Sequence, residues 1–442
     1  MLGSMTIRQA TLVLPDRVVV GDLVVEDGVI AAIGPSLART AGEVIDGTGL
    51  VVLPGVIDPQ VHFREPSDNP AEDLTSGSRA AAAGGVTSFL EMPNTKPTTT
   101  TVERLHDKLA RAAEKSVVNY GFYIGATSDN LAELNAAERT PGIKIFMGAS
   151  TGDLLVADPE ALEGIFAGAN KKIAVHAEDE ARLAERRALY ADSHDVRDHP
   201  QIRDEIAALN ATKLAVGFAL KHRAHLHILH MTTAEEADYL ATVPRDRITA
   251  EVCPQHLLLD ETAYEQMGTL AQMNPPIRAA RHGQTLWKRL IDGTIDCIAT
   301  DHAPHTLEAK GKPYPGSPSG MPGVEWALPM MLDQRARGRV SWEQIARWMC
   351  ENPAKAWGIP LKGRLEVGWD ADLAIVDPLA SRVVTRGQVW TKCGWSPWEG
   401  RTVTGWPVIT VVGGSPVYRD GAIVDGARGR ELTFDRNLTP RA

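Results

Sequence analysis

The chain has 442 residues, of which 43% are hydrophobic and 23% charged, and its formal net charge is −10. This composition is ordinary for a globular protein, and no apolar run reaches the roughly 20 residues that span a bilayer. An acidic balance without a basic cluster argues against a nucleic-acid partner. Four widely spaced cysteines without a Cys-x-x-Cys pair argue against a disulfide framework and agree with a reducing cytoplasm.

Both ends of the chain have the pattern of small β-structures. The start lacks the basic and apolar regions of a signal peptide, and Met5 is the expected native start. Short β-branched runs alternate with turns in "ATLVLPDRVVVGDLVVEDG", and a similar pattern returns in "GRLEVGWDADLAIVDP" and "WPVITVVGGSPVYRDGAIV". We therefore expect residues 1–56 and 361–442 to form one composite β-sandwich domain.

The middle, residues 57–360, alternates apolar strands with amphipathic helices. Eight strand candidates follow one another: "GVIDPQVHF", "GVTSFLEMP", "VVNYGFYIGA", "GIKIFMGAS", "KIAVHAE", "AHLHILHM", "ITAEVCPQHL" and "DCIATDHAP". Between several of them, apolar residues recur every three or four positions, as in "TVERLHDKLARAAEKS". This pattern favours an α/β fold with a parallel (β/α)8 TIM barrel, whose chemistry lies at the carboxyl ends of the strands. The long polar loop 305–323 is a candidate lid.

Side chains that bind metal ions or transfer protons occur on several of these strands. They are His62 on strand one, Lys144 on strand four, His176 on strand five, His230 on strand six and Asp301 on strand eight. A single strand histidine is more often a packing or surface residue, and we assign that role to His225 and His227. Several such residues at separate strand ends indicate a catalytic metal site, because imidazole and carboxylate groups are ligands that Zn²⁺ prefers.

One position departs from the expected pattern. A strand that ends in Asp-x-His-x-His would present two imidazoles on one side, because residues two apart in a strand face the same way. Here Gln60 occupies the first of the two positions and His62 the second. A glutamine amide is a poor substitute for imidazole on zinc.

The order of several motifs makes the chain resemble the dihydroorotases, cyclic amidohydrolases of the amidohydrolase superfamily. The motifs are "VLPGVIDPQVHFREP", "GGVTSFLEMPNT", "GIKIFMGAST", "HILHMT", "NPPIR", "ATDHAPH" and "PGVEWALP". The resemblance covers essentially the whole chain. It implies zinc-dependent, reversible cyclisation of N-carbamoyl-L-aspartate to L-dihydroorotate in pyrimidine biosynthesis. Allantoinases and dihydropyrimidinases share most of these motifs and are the alternative, but their substrates lack the ring carboxylate.

The resemblance also implies one or two zinc ions. His62 and Asp301 would bind the first ion, and His176 and His230 the second. Lys144 would bridge the two ions through a carbamate formed from CO2, which requires a neutral and therefore buried lysine. Asp301 would in addition transfer the proton.

Three questions stay open at this point. Some relatives use a later aspartate as the bridge, which makes Asp153 the alternative to Lys144. Gln60 either ligates weakly or through water, or the chain keeps a single zinc ion on His176, His230 and the carbamate. The third question is whether the chain is instead a non-catalytic subunit that scaffolds aspartate transcarbamoylase. The otherwise intact set of site residues disfavours this hypothesis.

The substrate side has counterparts as well. Arg64 offers a planar fork for a carboxylate. By resemblance, Asn94 and His305 help to hold the same carboxylate, and Asn274 lies near the pyrimidine ring. A homodimer with a small-molecule substrate is the family expectation.

Overall fold

The computed structural model describes residues 3–38, 42–149 and 154–435. The strands in these ranges are β1 Met5–Val13, β2 Val18–Glu26, β3 Val29–Gly34, β4 Glu43–Asp46, β5 Val51–Pro54, β6 Val56–Val61, β7 Val86–Glu91, β8 Asn119–Phe122, β9 Ile124–Gly125, β10 Ile143–Phe146, β11 Ile173–His176, β12 Leu226–Ile228, β13 Ile248–Val252, β14 Cys297–Ile298, β15 Leu373–Val383, β16 Thr402–Val412, β17 Ser415–Arg419 and β18 Ala422–Ile423.

The helices lie mainly between the barrel strands. They are α1 Leu74–Ala83, α2 Val102–Lys115, α3 Leu131–Ala136, α4 Pro159–Gly168, α5 Glu180–Leu189, α6 His199–Ile202, α7 Glu205–His222, α8 Ala234–Leu240, α9 Pro254–Leu258, α10 Thr262–Met267, α11 Ala280–Ile291, α12 Leu307–Lys310, α13 Ala327–Ala336, α14 Trp342–Ala346 and α15 Asn352–Trp357. Short 3-10 turns occur at Val196–Asp198, Gly268–Ala271 and Arg386–Gln388, and a π-turn at Arg347–Glu351.

Strands from both ends of the chain hydrogen-bond in one nine-stranded sheet. Its order is β18-β17-β16-β15-β5-β1-β2-β3, and β4 pairs with β1. The two ends meet where β5 and β15 run antiparallel, with Leu53 opposite Ala374. Ile7 and Leu23 from the first half pack in the same buried cluster as Ile409 from the second half. Because strands far apart in the order share this cluster, the sheet folds over to enclose its own core.

Eight parallel barrel strands follow one another in sequence order around the middle of the chain. They are β6, β7, β8, β10, β11, β12, β13 and β14. The two-residue β9 continues β8 after Tyr123 and pairs with β10, and a bridge between Val61 and His302 joins the last strand to the first. The predicted (β/α)8 TIM barrel and its eight strands are therefore confirmed.

Helix α2 illustrates why the outer layer forms. The Thr101 hydroxyl caps it by accepting a hydrogen bond from the Arg104 backbone nitrogen. Leu105, Leu109 and Ala112 recur at three- or four-residue spacing and are all buried in the core between barrel and helices. Burying each leucine contributes roughly 2 kcal/mol, so this stripe holds the helix against the strands. None of the helices in the described ranges combines the length and apolar character needed to cross a membrane.

Candidate functional site

A small cavity opens at the carboxyl ends of the barrel strands. Nine of the ten predicted site residues line it: Gln60, His62, Arg64, Asn94, Lys144, His176, His230, Asn274 and Asp301. The tenth, His305, lies behind them with its Nε2 atom 3.5 Å from an Arg64 terminal nitrogen. Ser319 and Gly320 of the candidate lid also line the cavity, which brings the loop to the site.

His176 and His230 lie side by side in the wall of the cavity, with their rings in contact. The Nδ1 atom of His176 lies 3.0 Å from the Nε2 atom of His230. The other ring nitrogen of His176 lies 2.6 Å from a Glu178 carboxylate oxygen, and Glu178 is also paired with Arg203. Burial raises the pKa of Glu178, but the Arg203 charge and the His176 hydrogen bond outweigh it and hold the pKa well below its usual range.

The tautomer of His176 follows from this contact. An ionised Glu178 can only accept, so Nε2 of His176 carries the hydrogen and Nδ1 presents a lone pair to the cavity. Burial lowers the pKa of both His176 and His230, so both rings are neutral. Nδ1 of His230 makes no hydrogen bond within the described part of the chain. The pair is therefore suited to a cation, with a carboxylate behind one ring to orient it.

Lys144 is a buried amine without a polar partner. Its Nζ atom forms no hydrogen bond to any described residue and lies 4.3 Å from the centre of the Phe146 ring. Burial lowers its pKa to about 7, so a large fraction of the side chain is neutral near neutral pH. A neutral amine can react with CO2, as the carbamate prediction requires. The alternative bridging residue, Asp153, lies outside the described residues.

Gln60, His62 and Asp301 form a hydrogen-bonded group that lines the same cavity. Oδ1 of Asp301 accepts a hydrogen bond of 3.0 Å from Gln60 Nε2 and lies 3.1 Å from His62 Nε2. Nδ1 of His62 lies 2.8 Å from the Asn94 side-chain oxygen. The Gln60 oxygen accepts no hydrogen bond in the ranges that the structure covers.

Left-handed backbone recurs in the site. His230, Asp301 and Arg64 have φ values of 34°, 47° and 68°. Residues other than glycine rarely adopt this conformation, which costs of order 1–3 kcal/mol and persists where the surrounding structure enforces it. His230 and Asp301 follow strands β12 and β14 by two and three residues, and both line the cavity.

Arg64 is the cation of the cavity. One terminal nitrogen donates to the Pro304 carbonyl oxygen at 3.3 Å, and Nε has no partner among the residues described. Burial lowers its pKa to about 10, so it stays charged at neutral pH. His305 is fixed by a contact of 3.0 Å to the Ser319 carbonyl oxygen, and the Asn274 oxygen lies 2.9 Å from His199 Nε2.

Three supporting residues were not predicted. Glu178 and Arg203 fix the His176 ring, and Asp58 accepts two hydrogen bonds from Thr300, at 3.1 Å from its nitrogen and 2.6 Å from its hydroxyl. The Asp58 contacts tie strand β6 to the residue before Asp301. A glutamate two positions after a strand-end histidine was a usable signal for Glu178. No sequence signal links Arg203 to it.

A second group of metal-binding residue types lies inside the barrel. One ligand atom each from His227, Glu251 and Cys297 lies within 4.8 Å of the others. Both His227 nitrogens are already paired, with Thr249 Oγ1 at 2.7 Å and Glu251 Oε2 at 3.0 Å. Burial lowers the pKa of His227 and raises that of Glu251, so both are neutral. This geometry agrees with the packing role predicted for His227.

The donors of the cavity itself fit a divalent metal ion. Two neutral imidazoles, a carboxylate and a third imidazole converge there, together with a buried amine. Nζ of Lys144 and Nδ1 of His230 have no hydrogen-bond partner among the described residues. Buried polar atoms are normally paired, so the unpaired Lys144 amine is available to become part of a metal-binding group.

Comparisons with known proteins agree with this chemistry. The sequence model of the amidohydrolase family matches residues 51–417. The chain is similar to a dihydroorotase of Halobacterium salinarum, with 36% identity over 433 residues, 94% of this chain and 99% of the relative. It is also similar to an allantoinase of Rubrobacter xylanophilus, with 35% identity over 436 residues and 96% of each chain.

The fold is similar to a solved cyclic amide hydrolase. The L-hydantoinase (dihydropyrimidinase) from Arthrobacter aurescens superposes with a TM-score of 0.92 at 30% identity, covering 98% of this chain and all of that one. The similarity extends over the barrel and the terminal sheet together.

Proposed function

The chain belongs to the amidohydrolase family, and from this premise we propose that it is a dihydroorotase, which interconverts N-carbamoyl-L-aspartate and L-dihydroorotate. The observation that carries the proposal is the buried Arg64 guanidinium in the same cavity as His176 and His230. A cation with an unpaired Nε is suited to a substrate that bears a carboxylate beside its reacting amide. The similarity to the Halobacterium salinarum dihydroorotase supports the same assignment.

Zinc is the cofactor that the donor set fits. The ligands of one or two zinc ions would be drawn from His62, Lys144, His176, His230 and Asp301. When bound, zinc polarises the ring carbonyl and makes a water more acidic. Nζ of neutral Lys144 would form a bond to the carbon of CO2 and release a proton to water, which converts an unpaired amine into an anionic ligand.

Asp301 is the proposed proton carrier. In ring opening its carboxylate takes a proton from the attacking water and delivers it to the departing ring nitrogen. In ring closure it takes the proton from the ureido nitrogen and delivers it to the oxygen that departs from the carboxyl carbon, which leaves as water. The contacts of Asp301 Oδ1 with Gln60 and His62 hold the carboxylate at the cavity wall during both transfers.

Arg64 is the proposed carboxylate anchor. Its fork would bind the substrate carboxylate with help from His305 and Asn94, and Asn274 would contact the ring. Fixing a group that does not react orients the amide toward Asp301, which lowers the entropic part of the barrier. We further expect a homodimer in the cytoplasm, in line with the family resemblance.

Two alternatives deserve comparison. The similarity to the Rubrobacter xylanophilus allantoinase and to the Arthrobacter aurescens hydantoinase favours a neutral cyclic amide as the second candidate substrate. Such a substrate would leave Arg64 without a function. A non-catalytic subunit bound to aspartate transcarbamoylase would leave the whole set of metal-binding side chains without one.

The test is ring opening of L-dihydroorotate by the purified protein, next to allantoin and dihydrouracil. We expect turnover of dihydroorotate that chelation removes and that zinc with bicarbonate restores. Faster turnover of allantoin or dihydrouracil would replace the proposal with the second candidate. No turnover of any substrate, together with co-purification of aspartate transcarbamoylase, would favour the non-catalytic subunit.

A further inference from the structure

We propose that Gln60 is a positioning residue for Asp301 rather than a metal ligand, and that the chain holds one tightly bound metal ion, on the His176 and His230 side of the cavity. The role of Asp301 in proton transfer rests on the proposed function. The number of ions does not depend on the substrate, because it follows from the donors that the cavity offers.

The orientation of the Gln60 amide is the first step. Gln60 is 1% exposed, and its side-chain nitrogen lies 3.0 Å from Asp301 Oδ1. Turning the amide over would place its oxygen at the same distance from a carboxylate oxygen, and two acceptors repel. The amide nitrogen therefore donates to Asp301.

This hydrogen bond occupies one of the two oxygens that Asp301 could offer to a second ion. Asp301 Oδ1 already faces the Gln60 amide at 3.0 Å and His62 Nε2 at 3.1 Å. An ion on this side would displace the amide and gain a single imidazole, from His62. Amide oxygen does not replace the missing imidazole, because zinc in proteins is bound by nitrogen, sulfur and carboxylate ligands.

The side of the cavity formed by His176 and His230 offers more nitrogen ligands for a metal ion. Zinc–nitrogen bonds of about 2.0–2.1 Å place two ligand nitrogens on one tetrahedral ion roughly 3.3 Å apart. The two facing nitrogens of His176 and His230 are 3.0 Å apart, close to that spacing. Glu178 fixes the His176 ring from behind, and the unpaired amine of Lys144 faces the same cavity. This side therefore offers two imidazoles, to which a Lys144 carbamate would add an anionic oxygen.

The difference between the two sides of the cavity indicates that Gln60 positions Asp301. Where a second imidazole and a second ion would hold the carboxylate of Asp301, this chain uses an amide N–H group. The hydrogen bond keeps Asp301 aimed at the cavity, and the Asp301 side offers one imidazole, from His62, against two on the other side.

The direct test is metal counting. Protein is loaded with zinc and bicarbonate, passed through gel filtration with a weak chelator, and its zinc is measured per chain. We expect about one zinc per wild-type chain and about two per chain of the Gln60→His variant. Gln388→His, at an exposed turn, is the matched control and should keep one. Two zinc ions in the wild type, or one in Gln60→His, would overturn the inference.

A second variant separates positioning from ligation. Gln60→Met keeps the length of the side chain and removes the donor. We expect it to keep one zinc with unchanged affinity in chelator competition, and to lose roughly tenfold to a hundredfold in kcat. KM should stay within about twofold, because the substrate anchor is untouched. A drop in zinc affinity would show that Gln60 is a ligand, and an unchanged kcat would remove its positioning role.

The outcomes distinguish this inference from the proposed function. Dihydroorotate turnover by a wild-type protein that holds two zinc ions would uphold the function and reject the inference. One ion in the wild type and two in Gln60→His, without turnover of dihydroorotate, would reject the function and uphold the ion count.

Discussion

Glu178 contacts the ring nitrogen of His176 opposite the one that faces His230, at a distance of 2.6 Å. Replacing it with glutamine keeps the shape but removes the charge that fixes the ring and strengthens it as a ligand. We expect Glu178→Gln to weaken zinc binding about 10- to 100-fold, measured by competition with a chromophoric chelator. Glu185→Gln, at an exposed position on α5, should bind zinc like the wild type. Equal affinities for the two variants would contradict the role of Glu178.

Asp301 can be replaced by asparagine without straining the backbone. Asparagine tolerates the left-handed conformation that this position adopts, whereas most residues do not. Because the variant cannot accept the proton, we expect kcat for dihydroorotate to fall at least about a hundredfold. Circular dichroism and thermal unfolding should match the wild type. A kcat within tenfold of the wild type would exclude Asp301 as the proton carrier.

Arg64 should act mainly on substrate binding. Arg64→Met removes the charged fork, and losing charge-assisted hydrogen bonds of about 1.5–3 kcal/mol corresponds to a rise in KM of roughly 10- to 150-fold. Arg64→Lys keeps the charge but lacks the planar fork, so its KM should lie between those of the wild type and Arg64→Met. Arg79→Met, at an exposed position on α1, is the control for steady-state kinetics. An unchanged KM in Arg64→Met would refute the anchor.

Lys310, in the candidate lid, should make stability depend on pH. Its Nζ atom donates to the carbonyl oxygens of Gln272 and Pro318 at 2.8 and 2.9 Å, and burial lowers its pKa to about 7. The unfolded lysine titrates near 10.4, so between these values the unfolded chain binds more protons and stability rises with pH. Below about pH 7 both states are protonated and this contribution levels off.

The measurement is urea unfolding of the wild type and Lys310→Met at several pH values from 7 to 9. We expect the free energy of unfolding of the wild type, minus that of Lys310→Met, to rise by up to about 1.4 kcal/mol per pH unit. Lys312→Met, which changes an exposed lysine nearby, should follow the wild-type curve. Parallel curves for the wild type and Lys310→Met would contradict the prediction.

The barrel was predictable because its signals are local. Each strand is a short buried apolar run, and His176, His230 and Asp301 lie where such runs end. Because the carboxyl ends of parallel strands meet at one end of a barrel, the three residues are expected to lie together at the barrel mouth. The rest depends on contacts between distant segments. Arg203 reaches Glu178 across 25 positions, and Gln60 meets Asp301 across 241. The sequence reveals that an imidazole is missing at Gln60, but only the three-dimensional arrangement reveals what its amide binds instead.

The pairing of β5 with β15 has a consequence for synthesis on the ribosome. Val52 finds its partner Ile375 only after the entire barrel has been translated. At about 5–20 residues per second, the delay is on the order of tens of seconds. During that time the edge of β5 exposes unpaired backbone groups to neighbouring nascent chains, which favours aggregation. A chain cut after residue 360 would retain every barrel strand, but the backbone groups at the edge of β5 would stay unpaired because β15 is absent.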